Sequence, residues 1–570
     1  MNLEIENSVT EVWFDTDDVD DSVSQTTTFE SRTKKTVRFY VMFLLLWQSM
    51  FKLSDSGMTV LFLYLSMILS LVLAPVNIEG IQEFIDMVPK STSAAKKLIG
   101  EVGDPFLKNV SCPQCHSLYS LHLCKIVNPD KTVSSLHCSH VAFPNHPHSR
   151  QRLPCNAQLM KTIKTSSGST SLYPRQMFCY QSIIEVLRSK LMTPGFFEKT
   201  ELWRKRRVQT STLRDVYDGR VWNEFLCPGG IPFLSAPYNF ALALNVDWFQ
   251  PFKYSNYSLG AIYVGIQNLP RRERYLNENV ILLGVMPGPH EPKKDCNTYL
   301  KPFANELLEL WNGIVMKNCS GMNIFVRAAL ICVTCDIPAS RKVSGFVGHN
   351  ALRACSRCLK MFPTQHFGEK ADYTGTDRET WPCRSLDTHK HFATIHREAR
   401  TKAEQKAIER EYGCRYSVLL VLPYFDVIKY TVVDPMHNLL LGTAKHMLNV
   451  WVSKELVSKA HFLIIQQTVD SFTAPSDVGR IPSKIASGFS GFTAEQWRNW
   501  TLIYSLCSLK GILPHRDYDC WLLFVKAVSI LCQRQVTITE VERGDALLMD
   551  FCEYQKVPGN RRTRKNWHPF

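Results

Sequence analysis

The chain has 570 residues, a net charge of +14, 45% hydrophobic and 21% charged residues. These proportions exclude a disordered or low-complexity chain, and the length implies about three or four domains of ~150 residues each. Its 19 cysteines follow an acidic start, Met1-Asn-Leu-Glu-Ile-Glu6, unlike a signal peptide, so reduced thiols and metal sites are expected rather than a disulfide framework.

Residues 1–35, rich in Asp, Ser and Thr, read as a disordered acidic and polar N-terminus. Two uncharged runs follow, Phe39 to Phe51 and Ser56 to Ile78. The second meets the ~20-residue length of a membrane span. The preferred reading of 36–105 is a buried helical hairpin turning near Ser54-Asp-Ser-Gly57, with a membrane span as the alternative. Residues 106–160 read as a small zinc-binding module opened by Cys112-Pro-Gln-Cys115. Cysteines so spaced aim two thiolates at one ion from a single tight turn. The partners following are His122, Cys124, Cys138, His140, His146, His148 and Cys155; Cys138 with either His140 or Cys155 is preferred. Residues 161–235 read as a linker and helical region.

Next come the runs that carry the functional reading. Ala241-Leu-Ala-Leu-Asn-Val246 leads into Asp247, and Phe325 to Cys335 leads into Asp336. Both runs predict β-strands. Taken singly, each aspartate reads as a strand end or a cap on the next helix. Together they read as a rigidly aimed pair whose desolvation a shared cation offsets, the plan of a metal-dependent phosphoryl-transfer site. Between them lie two apolar runs, Leu259 to Asn268 and Asn279 to Met286, then helical spacing from Tyr299 to Trp311. Strand, strand, strand, helix, strand predicts an α/β fold: a ribonuclease H-like mixed-sheet core over 236–450, in which the helix is the crossover that a parallel strand needs.

Cys355-Ser-Arg-Cys358 is a second metal-type pair lacking two convincing partners. Residues 385–413 read as a solvated helix. Asp434-Pro-Met-His437 opens an amphipathic helical run to Trp451, with the aspartate also suited to capping it. A helical insertion region is expected over 451–552, its Trp497, Trp500 and Trp521 in the core. The basic clusters Arg204-Lys-Arg-Arg207, Arg271-Arg-Glu-Arg274 and Arg561-Arg-Thr-Arg-Lys565 suit either solvated loops or phosphate contacts.

These blocks, with Asp215-Val-Tyr-Asp-Gly-Arg-Val-Trp222, Pro287-Gly-Pro-His-Glu-Pro292 and Phe489-Ser-Gly-Phe-Thr-Ala-Glu-Gln-Trp497, give a chain that resembles the transposases of the CACTA (En/Spm) group from about Phe43 to about Cys552. The resemblance implies a DDE/D core in which two aspartates and a distal glutamate hold two divalent metals, Mg²⁺ or Mn²⁺, for DNA strand cleavage and transfer. Asp247 would be the first acid and Asp336 the second. Cys355, Cys358 and His437 match motif positions implying zinc. DNA ends and target, a homo-oligomer and a nuclear location are implied as well. The stretch that ends in Phe-Glu-Arg in such transposases has no counterpart in the basic tail 553–570, so the expectation is a missing third acid and little activity; the alternative is that Asp434 substitutes, giving a three-aspartate site.

Overall fold

The computed structural model describes residues 25–73, 85–99, 104–129, 132–164, 170–206, 211–362, 378–475, 478–479, 484–489 and 491–554. Most of the expected disordered N-terminus and nearly all of the basic tail lie outside these residues. The chain divides into two compact units, 1–105 and 106–570.

In the first unit the helices Gln25–Phe51 and Asp55–Leu73 form the expected hairpin, with its turn at residues 52–54. Residues 25–35 are helical, in contrast to the polar N-terminus expected there. Val37, Val41, Leu44, Met58 and Phe62 pack inside with Ala95. The hairpin is not buried as expected: Phe39, Met50 and Leu71 are 69%, 76% and 69% exposed. An apolar run this continuous has more surface than one antiparallel neighbour and the short helix Thr92–Leu98 cover. Among the described residues one helix, over Asp55–Val72, is long and apolar enough to cross a membrane, with 17% of that window buried.

The second unit is built on a mixed eight-stranded sheet. Its strands are β1 (Phe106–Ser111), β2 (Leu118–Ser120), β3 (Met177–Gln181), β4 (Asn239–Phe249), β5 (Leu259–Ile266), β6 (Val280–Met286), β7 (Ile314–Lys317) and β8 (Asn323–Val333), in the spatial order β7-β8-β4-β5-β6-β3-β1-β2. All neighbours are antiparallel except β8 and β4. The helix Asn297–Asn312 precedes the β7–β8 hairpin and supplies the crossover. It buries Tyr299, Leu300, Phe303, Leu307 and Leu310 in the main core with Leu242, Leu244, Ile262 and Leu330. β4 and β8 are central and covered on both faces, which is why their sequences run apolar without alternation. At the helix end Gly313 has φ 100°, and a Cβ there would lie 2.0 Å from the Phe325 ring. Glycine thus lets the chain turn straight into β7. The sheet also takes in β1, β2 and β3, which the sequence reading had distributed between the zinc module and a linker.

Residues 385–413 form two helices, Leu386–Glu398 and Lys402–Tyr412, and the first buries His389, Ala393 and His396. His389 is 3% exposed, its ring lies 4.9 Å from that of Phe346, and neither ring nitrogen has a hydrogen-bond partner among the described residues. Burial, then the Arg384 charge, pulls its pKa down to about 3. The imidazole is neutral in the fold and titrates near ~6.5 once unfolded, so its stabilising share is present above that pH and is lost as pH falls from about 6.5 toward 3. His389→Phe is therefore expected to shift the acid-unfolding midpoint to lower pH. Thermal midpoints followed from pH 7 to 4 check this.

Beyond residue 436 the helices Met436–Ala444, Lys445–Ser453, Lys459–Asp470, His515–Leu531 and Ile538–Tyr554 enclose a separate core around Trp451, Trp497, Trp500 and Trp521. Three arginines of the first two basic clusters are ion-paired, whereas Arg561-Arg-Thr-Arg-Lys565 lies outside the described residues. Arg204 pairs with Glu201, Arg206 with Asp218, and Arg274 with Asp215.

Candidate functional site at one end of the sheet

Strand direction gathers the singled-out residues at a single end. β4 and β8 are parallel, with Leu244 opposite Val333. Asp247 and Asp336 each stand three residues beyond that pair, at matched positions on neighbouring segments. Asp247 lies within β4 rather than past its end, opposite Ala261 of β5. Cys335 sits between the acids: its thiol accepts from the Val246 N–H at 3.2 Å. Burial pushes that thiol up to about 12, and the charges of Asp336 and Asp247 both add to the rise. Asp336 caps the helix Ile337–Ser344, accepting from the Ala339 N–H at 2.7 Å. Neither acid has an ion-pair partner among the described residues. Two carboxylates with no Lys or Arg partner among the described residues could serve as hard-oxygen donors.

Asp434 reaches the same end. Thr431 makes an isolated parallel bridge to Val333, and the Val432 N–H donates to the Val333 carbonyl at 3.0 Å. The chain there runs along the free side of the β8 terminus. One cleft is lined by Cys335, Arg341, Cys355, Arg357, Asp434 and Asn438. His437 is held against Asp434 by its Nδ1, not against the Cys355/Cys358 pair. Both are free thiols: a hydrogen bond from the Cys358 thiol holds Cys355 down against its burial, while that hydrogen bond and burial push Cys358 up. No group of three or more metal-type ligands forms around the pair among the described residues.

The antiparallel path β4-β5-β6-β3-β1 brings the carboxyl ends of β6 and β1 to this end too. Cys112 follows β1 directly. Cys112, Cys115, Cys138 and Cys155 place all four sulfurs within 4.8 Å of one another. The Cys112–Cys155 and Cys115–Cys138 separations are 3.7 and 3.4 Å. A tetrahedral zinc with Zn–S bonds of ~2.3 Å needs sulfurs ~3.8 Å apart, so the cluster fits that ion. Cys155, not His140, completes the set; the His140 carbonyl instead accepts the Cys155 N–H at 2.8 Å. His116 and Asn156, each just after a ligand cysteine, have φ of 62° and 55°, the turns that swing the thiols inward. Burial raises Cys112 and Cys115; in Cys138 burial is outweighed by hydrogen bonds from the Tyr119 hydroxyl and the His140 N–H, which lower it. The purified chain is expected to carry zinc at this site. Cys138→Ser should lower the zinc-to-protein ratio by one and reduce the thermal midpoint, measured by elemental analysis and scanning calorimetry.

A groove of about 670 Å³ separates this module from the loop after β6, lined by Cys115, His116, His290, Lys293, Asp295 and Tyr299 among others. Lys342, on the helix capped by Asp336, bonds Glu291 of that loop at 2.6 Å and lies 4.5 Å from the Trp248 ring. Lys342 and Trp248 were not singled out in the sequence; being next to an acid in a strand is the only signal Trp248 carries.

Residues 210–411 match the family model described as Transposase family tnp2, the CACTA (En/Spm) type. The match takes in Asp247, Asp336 and the Cys355/Cys358 pair, and stops short of the four-cysteine cluster and Asp434. No curated protein matches the chain.

Proposed function

We propose that this chain, with a tnp2-type transposase domain over residues 210–411, acts on DNA through a ribonuclease H-like core, cutting and joining strands with Asp247 and Asp336 as ligands for Mg²⁺ or Mn²⁺. The observation that carries the reading is the shared register of the two acids beyond Leu244 and Val333. Three antiparallel strands, a crossover helix and a parallel return strand support the core assignment. Asp434, three residues past the Thr431 bridge to Val333, is the acid assigned here to the third-carboxylate role that the resemblance gives to a glutamate. Zinc in the four-cysteine cluster has a structural role, holding the module beside the groove. Transposon ends and target DNA as partners, a homo-oligomer and a nuclear location belong to the same reading.

The chain's own residues bind and orient. Asp336 accepts the Ala339 N–H with one oxygen, which restrains its rotamer and leaves its other oxygen available to a cation. Asp247 and Asp336 would hold a divalent cation, whose chemistry would be Lewis-acid stabilisation of charge on a phosphodiester. Lys342 stays on Glu291 and Trp248, and so does not neutralise the acids.

A second reading, a DNA- and zinc-binding protein that does not cleave, is favoured by one observation. Both oxygens of Asp434 are engaged, one by His437 and one by the Met436 N–H at 2.9 Å. Conversion of supercoiled plasmid to open circle by the full chain, with Mg²⁺ or Mn²⁺ and with EDTA, decides between them. Metal-dependent nicking supports the first reading; its absence at every metal concentration leaves the second.

A further inference from the structure

We propose that the loop immediately past Asp247 is a stacking platform for unpaired DNA bases, an inference that rests on the strand chemistry proposed above. β4 ends at Phe249 and residues 250–258 return the chain to β5. Three aromatic rings within six residues stand in solvent: Phe249, Phe252 and Tyr254 are 43%, 56% and 90% exposed. Isolated exposed rings are ordinary, but three beside a candidate catalytic acid form a patch. Lys253 is interleaved, its Nζ 5.4 Å from the Tyr254 ring.

The base of this loop is fixed. The Gly288 N–H donates to the Tyr257 hydroxyl at 3.2 Å, and the Ser258 N–H donates to the Pro289 carbonyl at 2.9 Å. A Cβ on Gly288 would lie 2.4 Å from the Ser258 oxygen, so only glycine allows the two loops to meet so closely. Phe252 leans edge-on against Tyr257 with ring centroids 5.7 Å apart. The tip thus offers aromatic faces from an anchored support, at low ordering cost on binding.

The chemistry favours single-stranded nucleic acid over an apolar protein segment. Every base has a π-face, so sequence-tolerant stacking needs only rings with a cation among them to track the phosphates. Lys253 supplies that cation, in a chain of net charge +14. The position matters as well. A strand whose phosphodiester lies at Asp247 has its neighbouring bases over residues 249–254, and a cut end there is where pairing is lost.

The test uses the full chain and two DNAs of one sequence, a blunt duplex and a forked duplex with 2-aminopurine in the unpaired arm. The wild type is expected to bind the fork about 10-fold tighter than the blunt duplex and to quench the 2-aminopurine. Phe252→Ala/Tyr254→Ala should remove the preference and the quenching while leaving blunt-duplex affinity unchanged. Phe252→Tyr/Tyr254→Phe should keep both. Tyr254→Ala alone, at a ring almost wholly in solvent, guards against misfolding and should lose at least half of the quenching. A fork preference that survives the double alanine variant overturns the proposal, as does a wild type with no preference that still nicks plasmid. Quenching by a chain that never nicks would sink the cleavage reading and leave the platform standing.

Discussion

Asp336→Asn is expected to lower Mg²⁺-dependent plasmid nicking by about 10³-fold or more, as ~4 kcal/mol of lost transition-state stabilisation requires. The substitution isolates one role. Asparagine caps a helix about as well as aspartate, so the bond to the Ala339 N–H survives. What is lost is the negative charge beside Asp247. Asp336→Ala removes cap and charge together and should cost about 1 kcal/mol of stability besides. Asp247→Asn, with no cap to lose, should match Asp336→Asn in rate and leave the thermal midpoint unmoved. Asp434→Asn should fall as far if that residue is the third ligand; full nicking by this variant would remove it from the site. Asp426 caps the short helix Val427–Tyr430 through the Ile428 and Lys429 N–H groups. Asp426→Asn is the control, expected to nick within twofold of the wild type.

What the sequence reveals of this site follows from burial. β4 and β8 are central, so every residue from Phe240 to Leu244 is apolar and the run announces itself. The acids that interrupt such runs stand out for the same reason. Cys112, Cys115 and Cys138 were legible because two thiols at Cys-x-x-Cys spacing suit one ion, but the choice between His140 and Cys155 was not. That choice depends on the turn at Asn156, a tertiary feature. β1 and β3 were illegible as sheet strands: Phe106–Ser111 is only partly buried, and Met177–Gln181 is short. β3 holds its place by pairing with β6, and β1 by pairing with β3 and through the Ser111–Tyr299 bond of 2.8 Å, all long-range. Arg206 and Arg274 read as surface charge because sequence does not show their partners, which lie 12 and 59 residues away. Nothing local in residues 250–258 marks their aromatic rings as exposed, which only the fold shows.

Arg274→Ala is expected to destabilise the second unit by about 3 kcal/mol, because it leaves a partly buried carboxylate without its partner. Arg274 is 4% exposed and grips Asp215 with two nitrogens, at 2.9 and 3.2 Å. It also donates to the Leu269 carbonyl at 3.1 Å and lies 5.3 Å from the Tyr217 ring. The effect should travel to the site through a short chain of bonds. Tyr217 donates to the carbonyls of Asn268 and Leu269 at 3.1 and 2.6 Å. The Asn268 side chain in turn accepts the Ala241 N–H at 2.8 Å and donates to the Asn239 carbonyl at 3.1 Å. Those two residues begin the strand that carries Asp247. Arg274→Lys should recover little, since one ammonium cannot make the paired contact. A cycle with Asp215→Asn separates the pair from general damage: coupling of at least about 1 kcal/mol in urea unfolding is expected. Additive losses would mean that the two side chains act independently.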